Sequence, residues 1–443
     1  GSEMCIRDRS FSMNRFYQGD WIDSMASRFI DELPEKHLEK NSIVILNSND
    51  IMPTNSDGTF KFKQNSDLFW LTGVDQEESL FAMIKKNGKI DELLFVKETN
   101  EHIAIWEGAK LSKDDATKTS GIKNVYWLSD IEKFLWDKVL NTQFLFLNKN
   151  IHSRATSLVQ TRDDRFREQI IKKFPDKSID EIAPLMHELR FIKSKLEIDL
   201  MQKACDITEK GLRRILPIIK PGITEFEIEA ELMHEFLSNR SAGFAYQPII
   251  GSGQDSCVLH YIENNKTCLD GDILLMDFGA EYANYASDLT RTVPVNGRFS
   301  ERQKNIYNAV HRVMKEATNM LRPGTDHKKM QQEVIKIMEE ELIGLGLFDR
   351  LDVKNQDPKN PYYKKYFMHG TSHSLGLDVH DVGDTSTPMQ PGMVFTCEPG
   401  IYIREEGIGI RLENDVLVTS GDPDDLMKNI PIDLDEIEGL MNG

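Results

Sequence analysis

Two kinds of hydrophobic pattern alternate in the first part of the chain. Short apolar runs of strand length are separated by segments whose apolar residues recur at helical spacing. The short runs predict strands at Asn41–Leu46, Leu80–Ile84, Glu92–Val96, Asn124–Leu128 and Phe144–Leu147. The helical spacing predicts helices at Asp130–Val139 and Asp163–Phe174. Strands that alternate with helices in this way indicate an α/β domain.

A polar stretch with a proline separates this part from a longer helical region. Pro175 and the PDKSID sequence that follows predict a boundary between an amino-terminal domain at 13–176 and a second domain at 177–443. A helical segment, continuous or broken, is predicted from Glu181 to Ile219. Residues 1–12 begin with the Gly-Ser of a tag remnant, so we assign them to neither domain.

The second domain contains a weak internal repeat. KPGITEFEIEAELMHEF at 220–236 and RPGTDHKKMQQEVIKIM at 322–338 each follow a helical segment and place a Pro-Gly break before an amphipathic helix. The first of these helices opens with a capping box, Thr224-x-x-Glu227. Strand-like segments rich in acids follow each copy. The repeat predicts an α/β domain of two similar halves whose acids converge on one central site.

Composition and charge limit the classes of protein to consider. The chain of 443 residues is 40% hydrophobic, which is enough for two buried cores. Its formal net charge of −18 disfavours nucleic acid and anionic membrane as partners, because phosphate binding requires clustered Lys and Arg. The 5 cysteines are odd in number and form no CxxC pair, which favours a reducing, cytoplasmic location. No apolar run reaches the ~18–20 residues of a membrane span, and no signal-peptide core opens the chain.

Four carboxylates and one histidine lie in apolar, strand-like segments between Gly271 and Asn414. They are Asp277, Asp288, His373, Glu398 and Glu413. One such acid alone is usually a turn residue or half of a surface ion pair. Together they indicate a site for two divalent metals, because ionised acids in half-buried strands are costly unless cations balance them. Four oxygen donors and one imidazole suit manganese, cobalt or magnesium better than a thiolate-bound structural zinc.

The order and wording of these motifs resemble the metal-dependent aminopeptidase P and prolidase family, whose catalytic domain has the pita-bread fold. The matching segments are GSGQDSCVLHY, MDFGAEYANYASDLTRTVPVNGRFS, FMHGTSHSLGLDVHDVGD, CEPGIYI and GIGIRLENDVLVT. Upstream, FKQNSDLFWLTGVDQEESLFAMIKK is similar to the amino-terminal domain of aminopeptidase P. The resemblance implies an α/β (α+β) fold: a creatinase/prolidase-like α/β domain, then a pita-bread catalytic domain with a pseudo-two-fold internal repeat.

The resemblance also implies roles for single residues. It makes the five groups above the ligands of two ions, with Asp288 and Glu413 bridging them; manganese is preferred, and cobalt, zinc and magnesium are the alternatives. Glu398 would be the general base for a water shared by the metals. His380 would donate to the oxyanion, and His260 would position the scissile carbonyl or the leaving nitrogen. The residues implied to line or brace a proline pocket are Tyr246, His260, His369, His380, Tyr402 and Arg411.

The activity implied is removal of the amino-terminal residue from peptides with proline in second position. A prolidase restricted to Xaa-Pro dipeptides is the alternative, and a pita-bread binding module without catalysis is another. The intact ligand set disfavours the binding module, while QNSDLFWLTG and the short gap between Glu398 and Glu413 favour aminopeptidase P. The resemblance also implies a homodimer or homotetramer in which Trp106 reaches a neighbouring subunit's active site.

Overall fold

The computed structural model describes residues 14–17, 20–23, 41–152, 154–155 and 158–443. The chain divides into two compact units, Gly1–Arg190 and Phe191–Gly443. Pro175 and the polar stretch after it predict a domain boundary at 176/177 instead, and that boundary stays a prediction. Residues 1–12 lie outside the described residues. No described helix is both long and apolar enough to cross a membrane.

Strands and helices alternate along the described part of the first unit. The strands are β1 (Asn14–Tyr17), β2 (Asp20–Asp23), β3 (Asn41–Asn47), β4 (Leu80–Lys86), β5 (Lys89–Val96), β6 (Asn124–Trp127), β7 (Phe144–Leu147) and β8 (Ile179–Glu181). The helices are α1 (Ser66–Thr72), α2 (Glu101–Glu107), α3 (Lys113–Ser120), α4 (Ile131–Phe134), α5 (Trp136–Leu140) and α6 (Arg162–Lys173). A six-stranded sheet has the order β6-β5-β4-β3-β7-β8, and β1 pairs with β2. All the strands predicted for this part are confirmed, and all belong to the six-stranded sheet.

The helical spacing predicted over Asp130–Val139 is confirmed from Ile131 onward, but the chain forms two consecutive short helices there, α4 and α5. Leu135, between them, is fully buried, and the adjacent Trp136 is also in the core. A straight helix turns consecutive residues about 100° apart, so the break lets two large neighbouring side chains enter one core.

Among the described residues of this unit, three helices were not predicted, namely α1, α2 and α3. Each has seven or eight residues, too few turns for a hydrophobic period to stand out. Polar caps begin them instead. The side chains of Asn65, Asn100 and Ser112 accept hydrogen bonds from backbone N–H groups in the first turn of α1, α2 and α3, respectively.

The second unit contains longer helices and small antiparallel sheets. Its helices, with α7 containing the division between the units, are α7 (Ala183–Phe191), α8 (Lys195–Ile215), α9 (Glu225–Ser238), α10 (Glu301–Met320), α11 (His327–Gly344), α12 (Arg350–Asn355) and α13 (Leu434–Asn442). Its strands are β9 (Ile249–Ser252), β10 (Ile273–Phe278), β11 (Glu281–Tyr282), β12 (Tyr285–Ala286), β13 (Leu289–Pro294), β14 (Val394–Cys397), β15 (Gly400–Ile403), β16 (Ile408–Arg411), β17 (Asn414–Leu417) and β18 (Asp424–Asp425). The helical segment predicted from Glu181 is thus broken, and Ser194 caps the start of α8 through a capping box with Glu197.

The predicted internal repeat is confirmed. In the first half α8 packs against α9 and the sheet β13-β10-β9 follows; in the second, α10 packs against α11 and the sheet β14-β17-β18 follows. Gly222 and Gly324 both have a positive φ, 97° and 85°, which is why a glycine ends each Pro-Gly break. The Thr224 capping box also forms, since the Thr224 N–H donates to Glu227 Oε2 over 2.8 Å.

Two isolated β-bridges fix the positions of the segments that carry the acids. Thr290 on β13 pairs with Glu413, which lies between β16 and β17, so a strand of the first half meets the link between two strands of the second. Ser374 pairs with Phe395 on β14 and thereby places the neighbouring His373 beside that strand. The metal-ligand candidates of both halves are brought to one place by these pairings.

Candidate metal centre

The first half contributes two aspartates that share one phenol. Asp277 is on β10, opposite Thr290 in the antiparallel register, and Asp288 immediately precedes β13; both are buried. Tyr246 Oη lies 2.5 Å from Asp277 Oδ1 and 2.5 Å from Asp288 Oδ1. A phenol has a single proton to donate, so one of these contacts needs another proton or a cation. The centre therefore has a place for additional positive charge.

The second half contributes a histidine next to two of the acids. His373 Nε2 lies 3.5 Å from Asp288 Oδ2 and 3.6 Å from Glu398 Oε1. His373 Nδ1 is 3.0 Å from the carbonyl oxygen of Ser374, to which it donates. In a neutral imidazole this bond leaves the Nε2 lone pair directed at the carboxylates, which is the arrangement of a histidine that binds a metal.

Glu413 completes the cluster between the two halves. Its N–H donates to the Thr290 carbonyl over 3.1 Å, and the Thr290 hydroxyl donates to its Oε2 over 2.6 Å. Beneath it, the fully buried Arg291 donates to the Glu413 carbonyl over 2.8 Å. One donor atom from each of Asp288, His373 and Glu413 lies within 4.8 Å of the other two. Asp277 is linked to this group because Tyr246 contacts both Asp277 and Asp288, and Glu398 is linked to it by its contact with His373.

The electrostatics of the cluster indicate uncompensated negative charge. Burial, and then repulsion from Asp288, raises the pKa of Glu413 well above its usual value. Burial also raises the pKa of Asp277, and that of Glu398 to about 7. For His373, burial acts to lower the pKa, but the hydrogen bond with Asp288 and the nearby carboxylates outweigh it and raise the pKa to about 9. Hard oxygen donors with excess negative charge and one imidazole fit divalent cations.

A chain of hydrogen bonds leads away from Asp277. Arg411 Nη2 donates to Asp277 Oδ2 over 2.5 Å, and Arg411 Nη1 donates to Tyr402 Oη over 2.9 Å. Tyr402 Oη lies 2.8 Å from His369 Nε2, while His369 Nδ1 lies 2.7 Å from the Gly370 carbonyl. Since Nδ1 must donate to that carbonyl, Tyr402 donates to Nε2. Burial, and then the charge of Arg411, lowers the pKa of His369 to about 4, so its ring is neutral at pH 7.

The remaining predicted residues differ in how directly they join the cluster. The exposed His380 lies edge-on to His373, with ring centroids 4.3 Å apart. His260 is exposed, and its charge contributes to the lowered pKa of His369. Trp106 belongs to the first unit, where it is 77% exposed on α2.

Asp415, a fully buried acid on β17, was not among the residues predicted from the sequence. Its Oδ2 accepts from the Asp288 N–H over 3.0 Å and from Cys205 Sγ over 3.4 Å, while its Oδ1 is buried without a hydrogen-bond partner. One signal was available: Asp415 follows Glu413 by two residues, and alternate residues of a strand face the same side.

A buried cluster of carboxylates and one imidazole, between two similar α/β halves, is the arrangement of a metal-dependent hydrolase with the pita-bread fold. Residues 199–420 match the model of metallopeptidase family M24, and residues 26–145 match the model of the aminopeptidase P amino-terminal domain. The chain belongs to metallopeptidase family M24.

Individual relatives agree with this membership. The chain is 34% identical over 401 residues to the Xaa-Pro aminopeptidase of Escherichia coli, an alignment that covers 87% of the chain and 90% of the relative. A low-pH structure of E. coli aminopeptidase P is similar with a TM-score of 0.83 at 32% identity, covering 91% of this chain and 95% of the other. A zinc-substituted form of the E. coli enzyme in complex with product has a TM-score of 0.83 at 31% identity, with coverages of 91% and 95%.

Proposed function

We propose that this metallopeptidase removes the amino-terminal residue from peptides whose second residue is proline. The observation that carries the proposal is the cluster around Asp288, His373 and Glu413, which has the donors and the excess negative charge of a metal centre. The similarity to the E. coli Xaa-Pro aminopeptidase over 90% of that protein's length supports the specificity for proline.

The proposed ligands are those named from the sequence: Asp277, Asp288, His373, Glu398 and Glu413. Two divalent ions per chain, preferably manganese, would account for the number of carboxylates, with Asp288 and Glu413 shared between the ions. Bound divalent ions lower the pKa of water and polarise a carbonyl group, which is the chemistry that peptide hydrolysis requires.

Glu398 is the proposed general base. Its carboxylate lies beside the cluster, with Oε1 3.6 Å from His373 Nε2, where it can exchange a proton with a water held at the same place. The group that leaves is the nitrogen of proline, which has no N–H of its own in the peptide and must gain a proton as the bond breaks. Glu398 would take the proton from the attacking water and deliver it to that nitrogen.

His380 and His260 would act on the carbonyl of the scissile bond. The ring of His380 is exposed next to His373, where an N–H can donate to the oxyanion that forms during attack. His260 would position the carbonyl or the leaving nitrogen.

The proline ring needs a pocket, because an ordinary aminopeptidase has no space preformed for it. Tyr246, His260, His369 and His380 are proposed to line this pocket. The hydrogen bonds from Arg411 to Tyr402 and from Tyr402 to His369 support a bracing role for the first two, since they hold the His369 ring in one orientation.

The peptide Arg-Pro-Pro tests this function against prolidase activity. Chelator-treated protein is titrated with manganese, and release of arginine is measured from Arg-Pro-Pro and from the dipeptide Arg-Pro. We expect metal-dependent cleavage of the tripeptide, with two ions bound per chain at saturation. Cleavage of the dipeptide alone would favour prolidase, while binding of both peptides without cleavage at any metal concentration would favour a binding module. Full activity after chelation would contradict a metal mechanism.

Assembly and location complete the proposal. A homodimer or homotetramer would place the exposed Trp106 at the active site of a neighbouring subunit. A cytoplasmic location is proposed because the odd number of cysteines includes no CxxC pair, and Cys205, Cys257, Cys268 and Cys397 are free and buried. Peptides are the proposed partners; the net charge of −18 disfavours nucleic acid and anionic membranes.

A further inference from the structure

A fully buried ion pair lies behind the segment that carries His373 and His380. Lys193 Nζ is 3.0 Å from Asp381 Oδ2, and each side chain is 1% exposed. Taking two charges out of water costs more than their attraction usually returns, so such a pair is weak evidence of stability. A buried pair of this kind can instead fix the orientation of one part of the chain relative to another.

Both partners are held by further contacts. The N–H of Lys193, which lies between α7 and α8, donates to the Gly392 carbonyl over 2.8 Å. Gly376 leaves room for the pair, because a Cβ at this position would overlap Asp381 Oδ2 and lie 3.0 Å from Lys193 Cε. Gly392 likewise has a φ of 93°, and a Cβ there would lie 3.1 Å from the Lys193 carbonyl. The backbone is therefore arranged around the ion pair.

Asp381 connects the pair to the candidate catalytic histidine, because it is the next residue after His380. Its N–H donates to the Ser374 carbonyl over 2.9 Å, and the Ser374 hydroxyl donates to its carbonyl oxygen. These two bonds close residues 374–381 into a loop. His373 and His380 lie next to its closing residues, and their rings meet edge-on at 4.3 Å.

We propose that Lys193 and Asp381 are positioning residues that hold the backbone at His380, so that its imidazole stands beside the metal centre in the orientation that oxyanion binding requires. The inference rests on the proposed function only for the reaction that His380 serves; the positioning itself is a property of the loop. Neither residue is proposed to touch the substrate.

The first experiment removes the pair without leaving one charge buried alone. In Lys193→Met/Asp381→Leu, apolar side chains of similar size replace both partners, which usually preserves folding. Misplacement of a catalytic group by about 1 Å can cost ~10²-fold, so we expect kcat to fall about tenfold or more while KM and the number of bound metals stay near wild type.

A double-mutant cycle shows whether the loss acts through His380. The same two substitutions are added to His380→Ala. If the pair acts through that ring, the further loss of kcat should be less than about twofold, because the group being positioned is already absent. An equal loss in both backgrounds would overturn the proposal and leave the pair a general structural role. The buried carboxylate of Glu438, bonded to the Arg298 side chain and the Phe299 N–H, offers the control Glu438→Gln, whose cycle with His380→Ala should be additive.

Hydrogen exchange tests the positioning without any turnover. Amides of residues 374–383 should exchange faster in Lys193→Met/Asp381→Leu than in wild type, and at the wild-type rate in Glu438→Gln. Unchanged exchange in this segment would overturn the proposal even in an active enzyme. Absence of Xaa-Pro cleavage by the wild type would contradict the proposed function alone, and the exchange rates would then decide the positioning role. If the double substitution does not fold, Lys193→Met/Asp381→Asn, which keeps the shape of the second side chain and leaves no charge buried alone, is measured in the same two ways.

Discussion

A single phenolic proton faces two carboxylates at the centre of the proposed metal site. Tyr246 Oη lies equally close to Asp277 and Asp288, although it can donate to only one of them. The net charge of the centre also depends on the protonation of two other residues, because the pKa of His373 is raised to about 9 and that of Glu398 to about 7. At the scale of residues, the centre has excess acceptors, and protons or cations must supply the difference.

Replacement of Glu398 by glutamine should lower turnover strongly while some metal remains bound. The amide keeps one oxygen donor but cannot accept a proton, so we expect kcat to fall by ~10²–10⁴. Steady-state cleavage of Arg-Pro-Pro and metal analysis of the same sample measure both effects. Glu406→Gln is the control, because Glu406 pairs with Arg302 on the surface and should keep its activity when neutralised. A Glu398→Gln variant with near wild-type kcat would exclude the assigned role.

At the scale of elements, close backbone contacts keep the acids on neighbouring strands together. Gly279 follows β10 at a point where a Cβ would overlap the carbonyl oxygen of Ser287, which comes just before Asp288. The chain after β10 and the chain before β13 can therefore approach this closely only because Gly279 has no side chain. Gly344, at the end of α11, has no atom within 4 Å of an added Cβ and thus provides a comparison within the same unit.

We expect opposite effects of alanine at these two glycines. Gly279→Ala should lower the free energy of unfolding by ~1–3 kcal/mol, as overpacking does, and should weaken metal binding because Asp277 and Asp288 are moved apart. Gly344→Ala should be neutral or stabilise by up to ~1 kcal/mol, because alanine is the better helix former. Urea unfolding and metal titration measure the two quantities. Equal stability of both variants would show that the contact at Ser287 relaxes without cost.

His311, on helix α10, should make the stability of the folded protein sensitive to acid. Burial, and then the charge of Lys315, lowers the pKa of His311 from 6.5 to about 4, so the folded state favours the neutral ring. A depressed pKa contributes stability that is fully present above the unfolded value of 6.5 and is lost as the pH falls through about 4. The urea midpoint of wild type should therefore fall more steeply between these pH values than that of His311→Gln. Parallel profiles would contradict the prediction.

At the scale of the whole molecule, metal binding should determine how much of the chain is folded, and subunit assembly should determine which active sites are complete. The carboxylates of the centre come from segments far apart in sequence, so ions that bind them stabilise only the folded chain. Loading with manganese at 100-fold above Kd should raise the free energy of unfolding by ~2.7 kcal/mol for each ion bound, and thus by ~5 kcal/mol for two ions. Thermal unfolding of chelated and loaded protein measures this, and Asp288→Asn should lose most of the difference. No shift on loading would count against the site.

The proposed shared active site predicts a result that a monomer could not give. Trp106→Ala should impair peptide hydrolysis without loss of metal, because the tryptophan would act on a neighbouring subunit's substrate. When this variant exchanges subunits with Glu398→Ala, one site of each heterodimer contains an intact Glu398 and receives an intact Trp106 from the partner. We expect activity to return on mixing. A stable, fully active monomer at the assay concentration would exclude the shared site.

Local patterns in the sequence already determined much of the architecture. The strands β3 to β7, the helix α6 and the repeated helix, Pro-Gly, helix unit follow from hydrophobic spacing and turn residues, because these act over a few neighbouring positions. The acids at 277, 288, 398 and 413 were also visible, since a carboxylate between apolar residues conflicts with its surroundings unless it has a partner.

Tertiary packing decided what local patterns could not express. The break at Leu135 depends on two adjacent side chains entering one core, and the short helices α1 to α3 depend on caps rather than on a hydrophobic period. The pairing of Thr290 with Glu413, the buried Asp415 behind Asp288 and the contact of Lys193 with Asp381 join residues more than 100 positions apart. Such contacts are set by the close packing of whole elements, so only the folded chain shows which polar groups balance one another.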